Sequence, residues 1–343
     1  MEFYQDRRRI MERIMNIFKR VMASIALPLV MFLVMLWATH AAGKTYYGTW
    51  PMWRTLIISC TAMITTAFGI GIQFKSGRFD FSGGGIMLMA AIIAGRVAEA
   101  NNNSMLIFVG LSLLVCISLS LLVATVYVFG RLPIIIATIG MALFFESLTT
   151  LIYDGEGINL VANLALKKVG TYPTVLIPLF FSIAIYGFYS RFTVVGKQAV
   201  LLTNNQQASV NIGIDEKKNV FITYLYSGIL YGIATTIFAS AGIQKAAFTS
   251  MSTVGSLFSN ILPVFIGLML VAYCGDTIGI VLGSLTLSLM SFGLSAIFSA
   301  EMGSSISIII TGLFIFGINV FSAQGKHLLE YLKTGILKRR QVD

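Results

Sequence analysis

The chain has 343 residues, of which 57% are apolar and 11% charged, with mean hydropathy +0.85 and a formal net charge of +10. A soluble domain carries about a quarter charged residues, so water is not this chain's main solvent, and little chain remains for a soluble catalytic domain. The basic residues stand between apolar segments rather than in an aromatic-interleaved patch, which reads as a topology signal and not as a nucleic-acid surface.

A hydrocarbon core about 30 Å thick needs roughly 20 apolar residues per helical crossing. In chain order the sequence predicts crossings at Met22–Ala42, Thr55–Phe74, Gly83–Ala98, Met105–Gly130 and Pro133–Tyr153. Five more follow at Pro173–Tyr189, Val220–Gly242, Gly255–Gly275, Thr277–Phe298 and Gly303–Phe321. The expected fold is therefore an all-α, polytopic bundle of about ten spans. The third segment is short and starts on Gly83, Gly84 and Gly85, which suggests a broken or partly re-entrant helix.

A cytoplasmic amino terminus and ten crossings put both termini inside. Of 24 Lys and Arg, only Lys44, Arg54, Arg96, Lys167, Lys168 and Lys245 then face out, as the positive-inside rule requires. Trp37, Trp50 and Trp53, with Tyr46 and Tyr47, gather at the first outer loop, where amphipathic rings favour the headgroup layer. The organisation that follows is a basic cytoplasmic segment over 1–21, a transmembrane domain over 22–322 and a basic cytoplasmic tail over 323–343. A cleaved signal peptide is the other reading of the basic start, but its apolar run exceeds the usual h-region, which favours an uncleaved anchor.

Two loops stand out. The inner loop Ser190–Asn219 is too short for a catalytic domain, yet it is polar and has room for a short surface helix. The outer loop Asp154–Tyr172 carries Asp154, Glu156, Lys167 and Lys168, and is either a binding-protein contact or a solvated connector.

Phosphate-loop, nucleophile-elbow and zinc-helix motifs are all missing; Gly43-Lys44-Thr45 lacks the upstream glycine. Cys60, Cys116 and Cys274 stand alone, and the histidines are His40 and His327, so no metal, disulfide framework or other cofactor is implied. Enzyme function is not expected. Ion-coupled transport usually leaves ionisable groups in mid-membrane, and Glu146 is the main candidate. It either relays a proton or hydrogen-bonds a neighbouring helix, with the second reading the better weighted. Gly228 and Gly232, like Gly279 and Gly283, are four residues apart and bring small residues to one helix face, a signal of close helix packing.

Three stretches carry a resemblance. These are Ser76–Gly85, with Asp80, Ser82 and the glycine run; Leu132–Gly140; and Gly196–Gly228, with Asn205, Ala208, Gly213 and Ile214 followed by Lys217 or Lys218. From about Thr55 to Ser322 the chain resembles the permease subunits of bacterial ABC importers for ribose, galactose and related monosaccharides. The resemblance implies a multi-pass protein of the bacterial inner membrane, working with cytoplasmic ATPase subunits, an extracytoplasmic solute-binding protein and a second permease copy or paralogue. It also implies that Asn205, Gln206, Ala208, Ser209, Gly213 and Ile214 form the contact that couples to the ATPase. For the substrate path the candidates are Asp80, Ser82 and Asn260, with Asp80 open to a second reading as a helix-start residue. Asn204 and Ser209 depart from the glycine and alanine of the family loop, and Gly267-Leu268-Met269-Leu270 replaces a glycine run. Those departures bear on the solute, since nucleoside and branched-chain amino-acid importers have related permeases.

Overall fold

A computed structural model describes residues 2–247 and 251–298, with scattered positions between 302 and 317; for residues 2–18 it describes the backbone alone. Hydropathy gives the long helices and their order: α1 (Glu2–Ala41), α2 (Trp50–Lys75), α3 (Gly83–Ala100), α4 (Met105–Gly130) and α5 (Ile134–Leu151). After a looped segment containing β1 (Ile158–Asn159) and the one-turn α6 (Leu164–Lys167) come α7 (Leu176–Phe192), α8 (Val194–Asn204) and α9 (Gln206–Asn211). Then follow α10 (Glu216–Ala241), β2 (Ile243–Gln244), α11 (Ser252–Cys274) and α12 (Asp276–Ile297).

Among the described residues eight helices are long and apolar enough to cross a membrane, and α7 with α8 qualifies as a ninth crossing bent by 67°. The protein is thus an all-α polytopic bundle. The expected tenth crossing, Gly303–Phe321, and the tail over 323–343 lie largely outside the described residues. One expectation is corrected: α3 runs unbroken for 18 residues, with its glycines at its first turn. The irregular backbone ahead of it lies in the connection 76–82, where the N–H groups of Ser76, Gly77 and Arg78 donate to the last carbonyls of α2.

Small residues set the packing. A β-carbon on Gly228 would lie 2.9 Å from the Ile117 Cα, and one on Gly232 would lie 2.8 Å from the Leu113 Cα, so α10 rests on the α4 backbone. On α12, a β-carbon on Gly283 would lie 2.7 Å from the Pro263 carbonyl oxygen of α11. Both glycine pairs read from the sequence are therefore places where two backbones meet, as small-residue faces allow in a membrane. Around the α10–α4 seam the largest core gathers Phe68, Phe145, Tyr186, Tyr224 and Tyr231.

The two ends of the bundle differ. At one end, the Lys75 end, the close of α2 and α7 meets the start of α10 and α12: Lys75 Nζ and the Ser190 hydroxyl each lie 2.6–2.8 Å from their partners in a cluster with Asp276. At the other, the Arg96 end, β1 and β2 pair antiparallel, Ile158 opposite Gln244, and Arg96 on the last turns of α3 bonds Glu156 and the Gly157 carbonyl. Consecutive helices alternate between these ends, as short connections require.

Candidate coupling and translocation sites

The segment expected to couple lies at the Lys75 end. Thr193, the hinge between α7 and α8, accepts from the Gly196 N–H and so caps α8. Asn205 then caps α9, its Oδ1 accepting from the Ala208 N–H at 3.0 Å. The other end of α9 closes in a Schellman arrangement: Gly213 is left-handed (φ +94°), its N–H donates to the Val210 carbonyl, and the Ile214 N–H donates to Ser209. Asn205 and Gly213 thus have local structural work, and Ser209 and Ile214 are buried beneath the short helix. Gln206 donates to Glu216 at 2.7 Å. Ala208 stands exposed, beside Val210 and Ile212, which are 45% and 74% exposed. Apolar side chains so exposed on a polar segment mark a surface suited to a protein contact.

Behind that segment, a web of side chains reaches the connection 76–82. The Thr203 hydroxyl of α8 shares its proton between the Ala199 carbonyl and that of Lys75, 2.9 Å away. Asn219 on α10 donates to the Val195 carbonyl of α8 at 3.1 Å. Arg78, 5% exposed, donates from Nη1 to the Thr223 hydroxyl (2.8 Å) and from Nη2 to Asn219 Oδ1 (3.2 Å). Burial pulls its guanidinium down from its ordinary value.

Asp80 and Ser82 lie two and four residues further on. Asp80 Oδ1 accepts from both the Ser82 N–H (2.8 Å) and the Ser82 hydroxyl (2.6 Å). Burial pushes the Asp80 carboxyl up, and the two Ser82 bonds pull it part of the way back. Both residues are buried just ahead of α3, where Asp80 closes a local turn on Ser82, the residue that precedes the helix, and accepts from no helical N–H.

Asn260 sits elsewhere, half-buried on α11, its amide donating to the Ser256 carbonyl at 3.0 Å. It lines a cavity of about 350 Å³ between α3 and α11, shared with Gly84, Lys245, Ser252 and Ser256. The mix of hydroxyl, amide and ammonium groups with an apolar wall is the usual make-up of a small-molecule pocket, whose volumes run from about 300 to 1,000 Å³. A second recess of about 420 Å³, bounded by Leu113, Phe181, Ile229 and Ile233 of α4, α7 and α10, is almost wholly apolar. The structure therefore separates the three path candidates: Asn260 borders the polar cavity, while Asp80 and Ser82 hold the helix whose Gly84 forms its opposite wall.

Glu146 is fully buried on α5, and its Oε1 accepts from the Thr253 N–H (2.7 Å) and the Thr253 hydroxyl (2.5 Å). It caps the first turn of α11, which favours the helix-tying reading. Sequence reasoning passed over Arg78, Asn219 and Thr223. Arg78 stands in the Ser76–Gly85 stretch as one more positive charge of an inner loop with no role of its own, and nothing local marks a partner 141 residues away.

A family model described as "Branched-chain amino acid transport system / permease component" matches residues 52–322. Among curated proteins, the fructose import permease protein FruF of Bifidobacterium longum (strain NCC 2705) is 27% identical over 227 residues, covering 62% of this chain and 60% of the relative. The match thus spans less than two thirds of that relative's length. No solved structure matches. With most of its length matched and a bundle of apolar helices to carry it, the chain belongs to the family of permease components of branched-chain amino acid-type transport systems, and is a multi-pass inner-membrane protein.

Proposed function

We propose that the chain is the membrane-spanning permease of an ATP-binding-cassette importer, and that it passes a monosaccharide-like solute delivered by an extracytoplasmic binding protein. The Lys75 end is cytoplasmic in this reading, both termini lie on that side, and Gly303–Phe321 completes ten crossings. The basic segment over 1–21 and the tail over 323–343 then flank the transmembrane domain over 22–322. The observation that carries the proposal is the placement of two unlike surfaces at opposite ends of one bundle. A capped short helix with exposed Val210 and Ile212 stands at one end, and a polar cavity bounded by the 243–247 strand segment lies toward the other.

ATPase subunits dock on α9 and its flanks, the segment of Asn205, Gln206, Ala208, Ser209, Gly213 and Ile214, with the buried Ser209 and Ile214 bracing the surface from within. Asn205 and Gly213 shape the contact, and Ala208 with its exposed apolar neighbours supplies surface. Asn260, with Ser256 and Lys245, offers hydrogen bonds to a hydroxylated solute, and a second permease copy or paralogue closes the path. The sugar class is supported by the fructose permease match, which is a statement about that relative. Nothing in the arrangement requires the chain to carry out chemistry, since an importer's energy comes from its ATPases biasing one bundle conformation over another.

The test is a mild-detergent pull-down of the tagged chain from its native membrane, comparing wild type with Asn205→Ala, Ala208→Glu and Gly213→Val combined. Recovery of an ATPase subunit with wild type and its loss with the variant is expected. An ATPase absent from both, with the chain folded and monodisperse, would contradict the importer reading.

A further inference from the structure

An arginine is always charged, and burying it is costly unless its donors are filled and a carboxylate is near enough to pair. Arg78 is buried, yet the ion pairs among the described residues are Lys75–Asp276 and Arg96–Glu156. Its hydrogen bonds instead run to a neutral amide and a neutral hydroxyl, both on the first turns of α10. A tie between two loops needs no such group. A buried ionisable residue in a membrane protein is by default a candidate for a functional role, and the partners of Arg78 decide which.

What Arg78 connects gives the role. On one side, Asn219 receives the guanidinium and hands its own amide to the α8 backbone at Val195, so the bond leads into the segment 194–219. The same segment touches the connection a second time, where the Thr203 hydroxyl meets Lys75 and a β-carbon on Gly77 would lie 3.1 Å from it. On the other side, a single residue, Phe79, separates Arg78 from Asp80, whose carboxylate bonds Ser82 just ahead of α3. That start is wedged. A β-carbon on Gly83 would press 2.7 Å from the Tyr231 ring, one on Gly84 would collide with the Thr253 carbonyl, and one on Gly85 would lie 3.1 Å from the Ala142 carbonyl. The first turn of α3 therefore has little freedom to move except as a body with its neighbours, and Gly84 is itself part of the cavity wall.

We propose that Arg78 is a positioning residue for transport, the strut through which movement of the 194–219 segment is passed to the glycine start of α3 and so to the wall of the polar cavity. This rests on the importer reading, since it supposes an ATPase pushing on that segment. The strut works because it is short and doubly bonded. Arg78 holds α10 through Thr223 and holds α8 through Asn219, so a shift of α8 and the foot of α10 carries the 76–82 connection with it.

The experiment uses the assembled complex with its ATPase and binding-protein partners in proteoliposomes. Ser256→Cys reports on the cavity through its modification rate by a membrane-impermeant maleimide, with and without ATP, beside ATP hydrolysis in the same vesicles. With Arg78 intact, ATP should change the labelling rate. In Arg78→Gln the ATP-dependent change should shrink about tenfold while hydrolysis stays within about twofold, the range of a lost site-to-site coupling. Asn219→Ala should act in the same direction, as should Asn219→Asp, which still accepts from Arg78 but can no longer donate to the Val195 carbonyl of α8. A response that persists in both Arg78→Gln and Asn219→Ala overturns the strut, as does a response that falls only in step with assembly and hydrolysis. If Arg78→Gln does not assemble, Asn219→Ala and Thr223→Val decide by the same criteria. Wild-type complex whose labelling ignores ATP altogether would instead sink the importer reading, and the strut with it.

Discussion

Two ion pairs, one at each end of the bundle, invite comparison. Lys75 and Asp276 meet at 2.6 Å with side chains 21% and 19% exposed, whereas Arg96 and Glu156 meet at 2.8 Å with side chains 29% and 73% exposed. The first is one strand of a web that also takes in Ser190, and Thr203 meets the Lys75 carbonyl beside it. The second stands at a rim, fastening α3 to a two-stranded sheet beside a cavity. The same chemistry thus braces one end and merely latches the other. The proposed function, in which one end takes up a push and the other admits a solute, is served by that asymmetry.

The seam on which both ends depend gives the largest expected effect. Gly232→Val would drive a branched side chain into the α4 backbone at Leu113, and because the obstacle is backbone the cost should reach the upper part of about 1–3 kcal/mol. A lowered thermal midpoint in detergent, with loss of both ATPase association and uptake, is the expected result.

Next comes the cap between α5 and α11. Glu146→Ala leaves the buried Thr253 N–H and hydroxyl without their acceptor, a loss of about 1–3 kcal/mol. Glu146→Gln keeps an acceptor oxygen in place and should retain most stability and uptake. Uptake abolished by the glutamine variant in a fully stable protein would restore the proton-relay reading.

The ion pairs themselves rank below. Because its side chains keep about a fifth of their surface in water, the Lys75–Asp276 pair should show a coupling of about 1 kcal/mol in a double-mutant cycle of Lys75→Met with Asp276→Asn. Arg96→Gln at the opposite end should cost less than about 0.5 kcal/mol, and its effect should fade with added salt. Equal couplings at the two ends would erase the contrast between brace and latch.

Much of this was legible in the sequence for physical reasons that act locally. Helix positions followed from hydropathy because lipid leaves the backbone no other way to satisfy its hydrogen bonds. The contacts made by Gly228, Gly232, Gly279 and Gly283 follow from spacing, since residues four apart share a face. In the loop, Asn205 and Gly213 fit the family pattern and have plain structural causes, one as an N-cap and the other as a left-handed helix end.

What stayed hidden depends on residues distant in the chain. The three glycines that open α3 read as a helix break, but their role is close approach to Tyr231, Thr253 and Ala142, none of them neighbours in sequence. Glu146 looked like a lone carboxylate because its partner lies 107 residues on. Asp80 and Asn260 resemble one another in a list of polar candidates, yet only the second faces the cavity. Arg78 illustrates the general case, a charge whose local context says topology and whose folded context says mechanism.

The most direct test of the account is uptake by proteoliposomes holding the complete complex, measured with a panel of labelled monosaccharides against ATP and against a proton gradient. Uptake is expected to require ATP, to persist when a protonophore collapses the gradient, and to be lost when the ATPase subunits are left out. Uptake by the chain alone that follows the proton gradient and ignores ATP would contradict it.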